Sequence, residues 1–100
     1  MVDVNKFISE GEILEYNGES IPIKPLSIEE QAKFATLQTQ DKMGEASEYL
    51  LVTTLHKAWK EVPKEQLKAI NDREFIAKVS DMILKVNGLE QKKLKSAKEE

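Results

Sequence analysis

One hundred residues carry 15 basic and 18 acidic side chains, a net charge of −3, and no cysteine. A chain of this length fits one domain and buries about 60–65% of the surface its unfolded form exposes. Without cysteine there is no disulfide, no thiolate zinc site and no cysteine nucleophile. The weakly acidic balance argues against nucleic acid, because phosphate binding needs a concentrated basic face.

The opening stretch MVDVNKFISEGE contains acidic residues and no long apolar run, so it reads as no secretion signal. No segment approaches the ~20 apolar residues of a membrane span, and the expectation is a cytoplasmic protein with no membrane partner. Val4 to Ile8 is a weak candidate strand. Asn17-Gly18 then separates ILEY from ESIPI. Asn-Gly tolerates the positive φ of a type I′ turn, whose twist matches paired strands, so a hairpin is predicted over about 12–24. Leu14 and Tyr16 share one face, Ile13 and Glu15 the other. Pro22 lacks an N–H, which places its nitrogen on an outward-facing edge. A lone hairpin is marginal in water, so it must dock on helices, gain a third strand or pair with another chain.

Ser27-Ile28-Glu29-Glu30 is a Ser-x-x-Glu capping box, with early glutamates that suit the helix dipole. The first helix is predicted over 28–40, with Ile28, Ala32, Phe34, Ala35 and Leu37 spread widely around it. A second, strongly apolar helix over 45–61 presents Leu51, Leu55, Ala58, Trp59 and Val62 on one face, and Tyr49, Leu50 and Val52 widen that surface, as suits a central core helix. His56, Lys57, Lys60 and Glu61 form its wet side. Val62-Pro63 stops it, and Pro63 opens a short helical turn over 64–70, with Leu67 and Ile70 inward. Asn71 or Asp72 caps a last helix over 73–87, whose apolar face is Phe75, Val79, Met82, Ile83 and Val86. Asn87-Gly88 is a left-handed stop. The fold class is therefore α+β, mostly α. An N-terminal β-hairpin leads a small three- or four-helix bundle within residues 1–88, and residues 89–100 form a charged tail.

Chemistry is hard to place on this chain. His56 is its one histidine and has neither an orienting acid nor a nucleophile nearby, so it reads as an exposed surface residue. Glu10, Glu12, Glu15 and Glu19 surround a hairpin too small to bury one of them and raise its pKa. No metal-binding spacing, P-loop or GxGxxG is present. Lys92, Lys93 and Lys95 sit in the tail without arginine or aromatic companions for bases. The expectation is no catalytic residue, no metal and no cofactor. The residues singled out for contact with a partner are the apolar helix positions Leu51, Leu55, Trp59, Phe75, Val79 and Met82, which equally suit a plain core.

Two segments carry a family resemblance. Ile23-Lys24-Pro25-Leu26-Ser27 matches a strand-to-helix turn, and Ile83-Leu84-Lys85-Val86-Asn87-Gly88-Leu89 matches a helix ending. With the element order over about residues 12–89, the chain resembles the small tail assembly chaperones of long-tailed bacteriophages. That resemblance implies a non-enzymatic protein acting in the host cell cytoplasm during virion morphogenesis. It implies binding to the long helical tape measure protein, which is kept soluble until tail tube protein polymerises around it. A frameshifted longer form that recruits tube protein is common in that family. A homo-oligomer joined through the hairpin edge fits the same picture. The competing readings are a winged helix-turn-helix regulator, with residues 73–87 as recognition helix, and a head–tail structural component.

Overall fold

The computed structural model describes residues 3–89. The element order is a 3-10 helix at Val4–Phe7, strands β1 (Glu12–Tyr16) and β2 (Glu19–Ile23), and helices α1 (Ile28–Thr39), α2 (Met43–Ala58), α3 (Lys64–Leu67) and α4 (Arg73–Val86). The α+β, mainly helical architecture read from the sequence is the one observed. Residues 90–100 of the proposed tail lie outside the described residues, and Leu89 is exposed.

Asn17 and Gly18 take φ of 50° and 79°, both left-handed as a type I′ turn requires. The turn fixes the antiparallel register, with Leu14 opposite Ile21 and Ile13 opposite Pro22. Leu14, Ile21 and Ile23 are buried, whereas Ile13 is 61% exposed. The alternation is that of a sheet with one wet face. In a two-residue hairpin the pairs alternate outward from the turn between hydrogen-bonded and non-hydrogen-bonded. Ile13 and Pro22 fall at a non-hydrogen-bonded pair, so the missing N–H of Pro22 faces away from β1. The candidate strand at Val4–Ile8 is a correction. Val4 to Phe7 wind into a 3-10 helix capped by Asp3, whose side chain accepts from Asn5 N–H at 3.1 Å. An Asp-initiated local turn has outcompeted extension there, and no residue of it is buried. The sheet has two strands.

With no third strand among the described residues, the hairpin is stabilised by docking on helices. Leu14, Ile21 and Ile23 join Leu50, Leu55, Phe75, Val79 and Ile83 in one apolar core. At one end of the hairpin the Tyr16 hydroxyl donates to Asp72 Oδ2 at 3.0 Å. Tyr16 also packs on Phe75, with ring centroids 5.2 Å apart. At the other end Lys85 Nζ lies 3.4 Å from Glu12.

The helix ends follow local chemistry. Both bonds of the capping box form: Glu30 N–H donates to Ser27 Oγ at 3.3 Å and Ser27 N–H to Glu30 Oε1 at 2.9 Å. Asp72 caps α4 by accepting from Phe75 N–H at 3.2 Å. Gly88 has φ 72°, and the bonds Leu89 N–H to Leu84 O and Gly88 N–H to Lys85 O close a Schellman motif.

Helix α2 spans residues 43–58 and not 45–61. Asp41, with φ 61°, turns the chain early, and Trp59 leaves the helix at φ −122° and ψ 74°. The His56 ring bonds the carbonyl of Val62 at 3.1 Å, and Val62 N–H reaches Trp59 O at 3.1 Å. That turn draws the chain back over the helix end before Pro63. Helix α3 is also shorter than its predicted 64–70, with turn bonds carrying the chain on to Ile70. Leu50 and Val52, which widen the apolar surface of α2 beyond its Leu51–Leu55 face, are buried. Ala46, Leu50, Val52, Thr54 and Leu55 are its buried residues, because α1, α3, α4 and β2 all pack against it. Helix α1, by contrast, buries no residue, and Ile28 is 87% exposed.

Candidate functional site

Four of the six apolar positions singled out for partner contact come together. Leu51 and Leu55 from α2 and Phe75 and Val79 from α4 line one cleft, completed by Leu67 and Ile70 from the α3 region. Its volume is about 270 Å³, and the charges bordering it are Glu48 and Lys68, both exposed. The cleft arises because α3 is a single turn. It packs on α2 with Leu67 as its one buried anchor and leaves the flank of both longer helices incompletely covered.

The six positions do not present one exposed patch. Leu55, Phe75 and Val79 are buried core residues, and Leu51, Trp59 and Met82 pack half-buried around them. Trp59 stacks on Phe75 with centroids 6.3 Å apart and rings inclined by 15°, and it borders a separate apolar depression with Val62, Gln66 and Ile70. Met82 lies apart from both, in a groove between α4 and β1 with Leu14, Lys78 and Lys85. A ligand of the cleft therefore meets Leu51, Ile70 and Ile76 first, with the buried residues as its floor.

The polar framework of the molecule lies on the opposite side of α2. The Leu26 N–H donates to Asn87 Oδ1 at 2.8 Å, and Asn87 Nδ2 donates to Ile83 O at 2.8 Å. Gln31 Nε2 donates to Leu26 O at 3.0 Å, and Lys57 Nζ donates to Pro25 O at 3.0 Å and to Glu30. One clasp thus ties the Pro25-Leu26-Ser27 turn to the ends of α4 and α2. Burial alone would raise the Glu30 carboxyl pKa, but Lys57 and the Ser27 bonds outweigh it and hold it below the ordinary glutamate value.

Two assignments made from the sequence change here. His56 and Lys57 are half-buried and do not belong to a wet side: one holds the turn after α2, the other the clasp. Spacing placed them beside Lys60 and Glu61, but α2 ends before those residues. Sequence reasoning also missed Thr54, which is 0% exposed and whose Oγ1 has no hydrogen-bond partner among the described residues. The Thr53-Thr54 pair within an otherwise apolar helix segment was its one signal.

The exposed side of α4 mixes Arg73, Lys78 and Lys85 with Glu74 and Asp81, and it offers no run of one sign to a phosphate backbone. Among the described residues no group of three or more His, Asp or Glu side chains is placed to hold a metal ion, and no helix is long and apolar enough to cross a membrane. Comparison of the chain with protein-family models, curated proteins and solved structures returns no match.

Proposed function

We propose that this protein is a non-enzymatic assembly chaperone of the phage tail type, which holds a long helical tape measure protein soluble by binding its amphipathic segments. The observation that carries the reading is the apolar cleft between α2, α3 and α4. An amphipathic helix offers apolar anchors at i, i+3, i+4 and i+7, and a cleft floored by Leu55, Phe75 and Val79 suits such a stripe. Glu48 and Lys68 beside it give both signs of charge to a partner helix whose polar flanks alternate in sign.

The two segments that carry the resemblance also meet in space. The Pro-Leu-Ser turn and the Asn-Gly-Leu ending are 61 residues apart at Leu26 and Asn87 and are joined directly. Their residue types thus have a shared structural reason, which supports reading them together. Tail tube protein is a second partner on this reading, and no cofactor is required.

The test is co-expression with the longest helical protein encoded beside this gene. The neighbour is expected to become soluble and to copurify. A correctly folded chaperone that leaves it insoluble and unbound would overturn the proposal.

A further inference from the structure

The two edges of the hairpin are not equivalent. Residues at non-hydrogen-bonded pairs turn their backbone N–H and C=O away from the partner strand. On β2 those residues are Ser20 and Pro22, and Pro22 removes a donor from that edge. On β1 they are Ile13 and Glu15, whose backbone groups are all present. No described residue outside the hairpin bonds to either backbone. Ile13 is also 61% exposed. Beyond this edge runs an open groove of about 350 Å³ between β1 and α4, lined by Leu14, Glu15, Lys78, Asp81, Met82 and Lys85.

We propose that β1 pairs with β1 of a second copy of this chain, antiparallel about a two-fold axis at Leu14, making one continuous sheet across two molecules. The register follows from the outward-facing groups. Ile13 of each copy stands opposite Glu15 of the other as a hydrogen-bonded pair, Leu14 opposite Leu14, and Glu12 opposite Tyr16. No carboxylate faces a carboxylate, which this acidic strand needs.

Charge complementarity selects the occupant. Tyr16 lies beside Phe75 and Glu12 beside Lys85, so α4 runs antiparallel to β1. The incoming strand, antiparallel to β1, brings its Glu12 to the Phe75 end of the groove, where Lys78 stands, with Asp81 one helical turn further from that end. Lys78 forms no ion pair among the described residues. The incoming Leu14 meets Leu14 and Met82. The interface lies on a different side of α4 from the α2–α3–α4 cleft, so it does not depend on the function proposed above.

Sedimentation equilibrium on the full chain over roughly 1–500 µM tests this. The wild type is expected to dimerise. Ile13→Pro removes the outward N–H without touching the β1–β2 ladder, as Pro22 already does on the other strand, and should raise the dimer Kd at least about tenfold with an unchanged circular dichroism spectrum. A wild type that is monomeric throughout, or a dimer that folded Ile13→Pro leaves intact, overturns the proposal. If Ile13→Pro fails to fold, the register decides. The chain has no cysteine of its own, and a hydrogen-bonded pair spaces its Cα atoms by about 5.5 Å, within disulfide reach. Mixed Ile13→Cys and Glu15→Cys chains should therefore form the disulfide-linked heterodimer in preference to either homodimer. Absence of that preference contradicts the pairing.

Discussion

Thr54 and Asn87 mark the two ways a polar side chain enters this interior. Asn87 has two partners, Leu26 N–H and Ile83 O, and Thr54 has none for its hydroxyl. An unpaired buried hydroxyl keeps its desolvation cost, while a paired one offsets it. Thr54→Val is therefore expected to stabilise the fold by about 1 kcal/mol in urea unfolding, and Asn87→Ala to destabilise it by about 1–2 kcal/mol. Glu30 gives a pH dependence. Its carboxyl pKa is depressed in the folded state, so its stabilisation is complete above the ordinary glutamate pKa and is lost as pH falls through the lower folded value. Glu30→Gln should be less stable at neutral pH and lose stability less steeply on acidification. Equal acid dependence in the two proteins would show that the Lys57–Glu30 contact does not report on folding. Little of this was legible in the sequence. Asn87 was read as a helix stop, which it is, but its reach to Leu26 depends on how α4 lies against the turn before α1. Lys57 was placed on the wet side because spacing cannot say which neighbour covers a helix.

Elements with a local cause were legible. The hairpin, the capping box at Ser27, the Asp72 cap and the stop at Gly88 each rest on residues within a few positions of one another, and each forms as expected. Elements decided by tertiary contact were displaced: α2 ends at Ala58 because Trp59 stacks on Phe75 and His56 holds Val62. The 3-10 helix at Val4–Phe7 replaced a strand because the Asp3 side chain starts a local turn there. At this scale Gly11 is the sharpest constraint. It has φ 79°, and a Cβ there would lie 2.0 Å from the Ile23 carbonyl oxygen, so the chain entering β1 runs against the end of β2. Gly11→Ala is expected to cost about 2 kcal/mol or more, by strain and displacement together. Replacing Asn17-Gly18 by two β-branched residues should disrupt the hairpin, since neither tolerates the left-handed φ both positions adopt. Thermal unfolding followed by circular dichroism reads both. A Gly11→Ala protein as stable as wild type would mean that the strand entry relaxes freely.

For the whole molecule, a hairpin and a clasp hold the longer helices α1, α2 and α4 while one flank stays thinly covered. The longer helices α2 and α4 supply an apolar wall, and the one-turn α3, packed on α2, does not fill the space beside it. Its residue types were legible in the sequence, because helical spacing picks out Leu51, Leu55, Phe75 and Val79. The geometry was not, because periodicity gives a face but not the gap between faces. Trp59 and Met82 were grouped with them on spacing and lie elsewhere, one over the end of α2 and one beside β1. The cleft is the basis of the proposed chaperone activity. It makes Leu51, half-buried at its margin, the position where a charge should block binding without emptying the core.

The most direct test compares wild type and Leu51→Lys in co-expression with the neighbouring long helical protein, each checked first for native circular dichroism. The account predicts that wild type brings the helical protein into the soluble fraction and copurifies with it, and that folded Leu51→Lys does neither. Equal solubilisation by both proteins, or by neither, would contradict it.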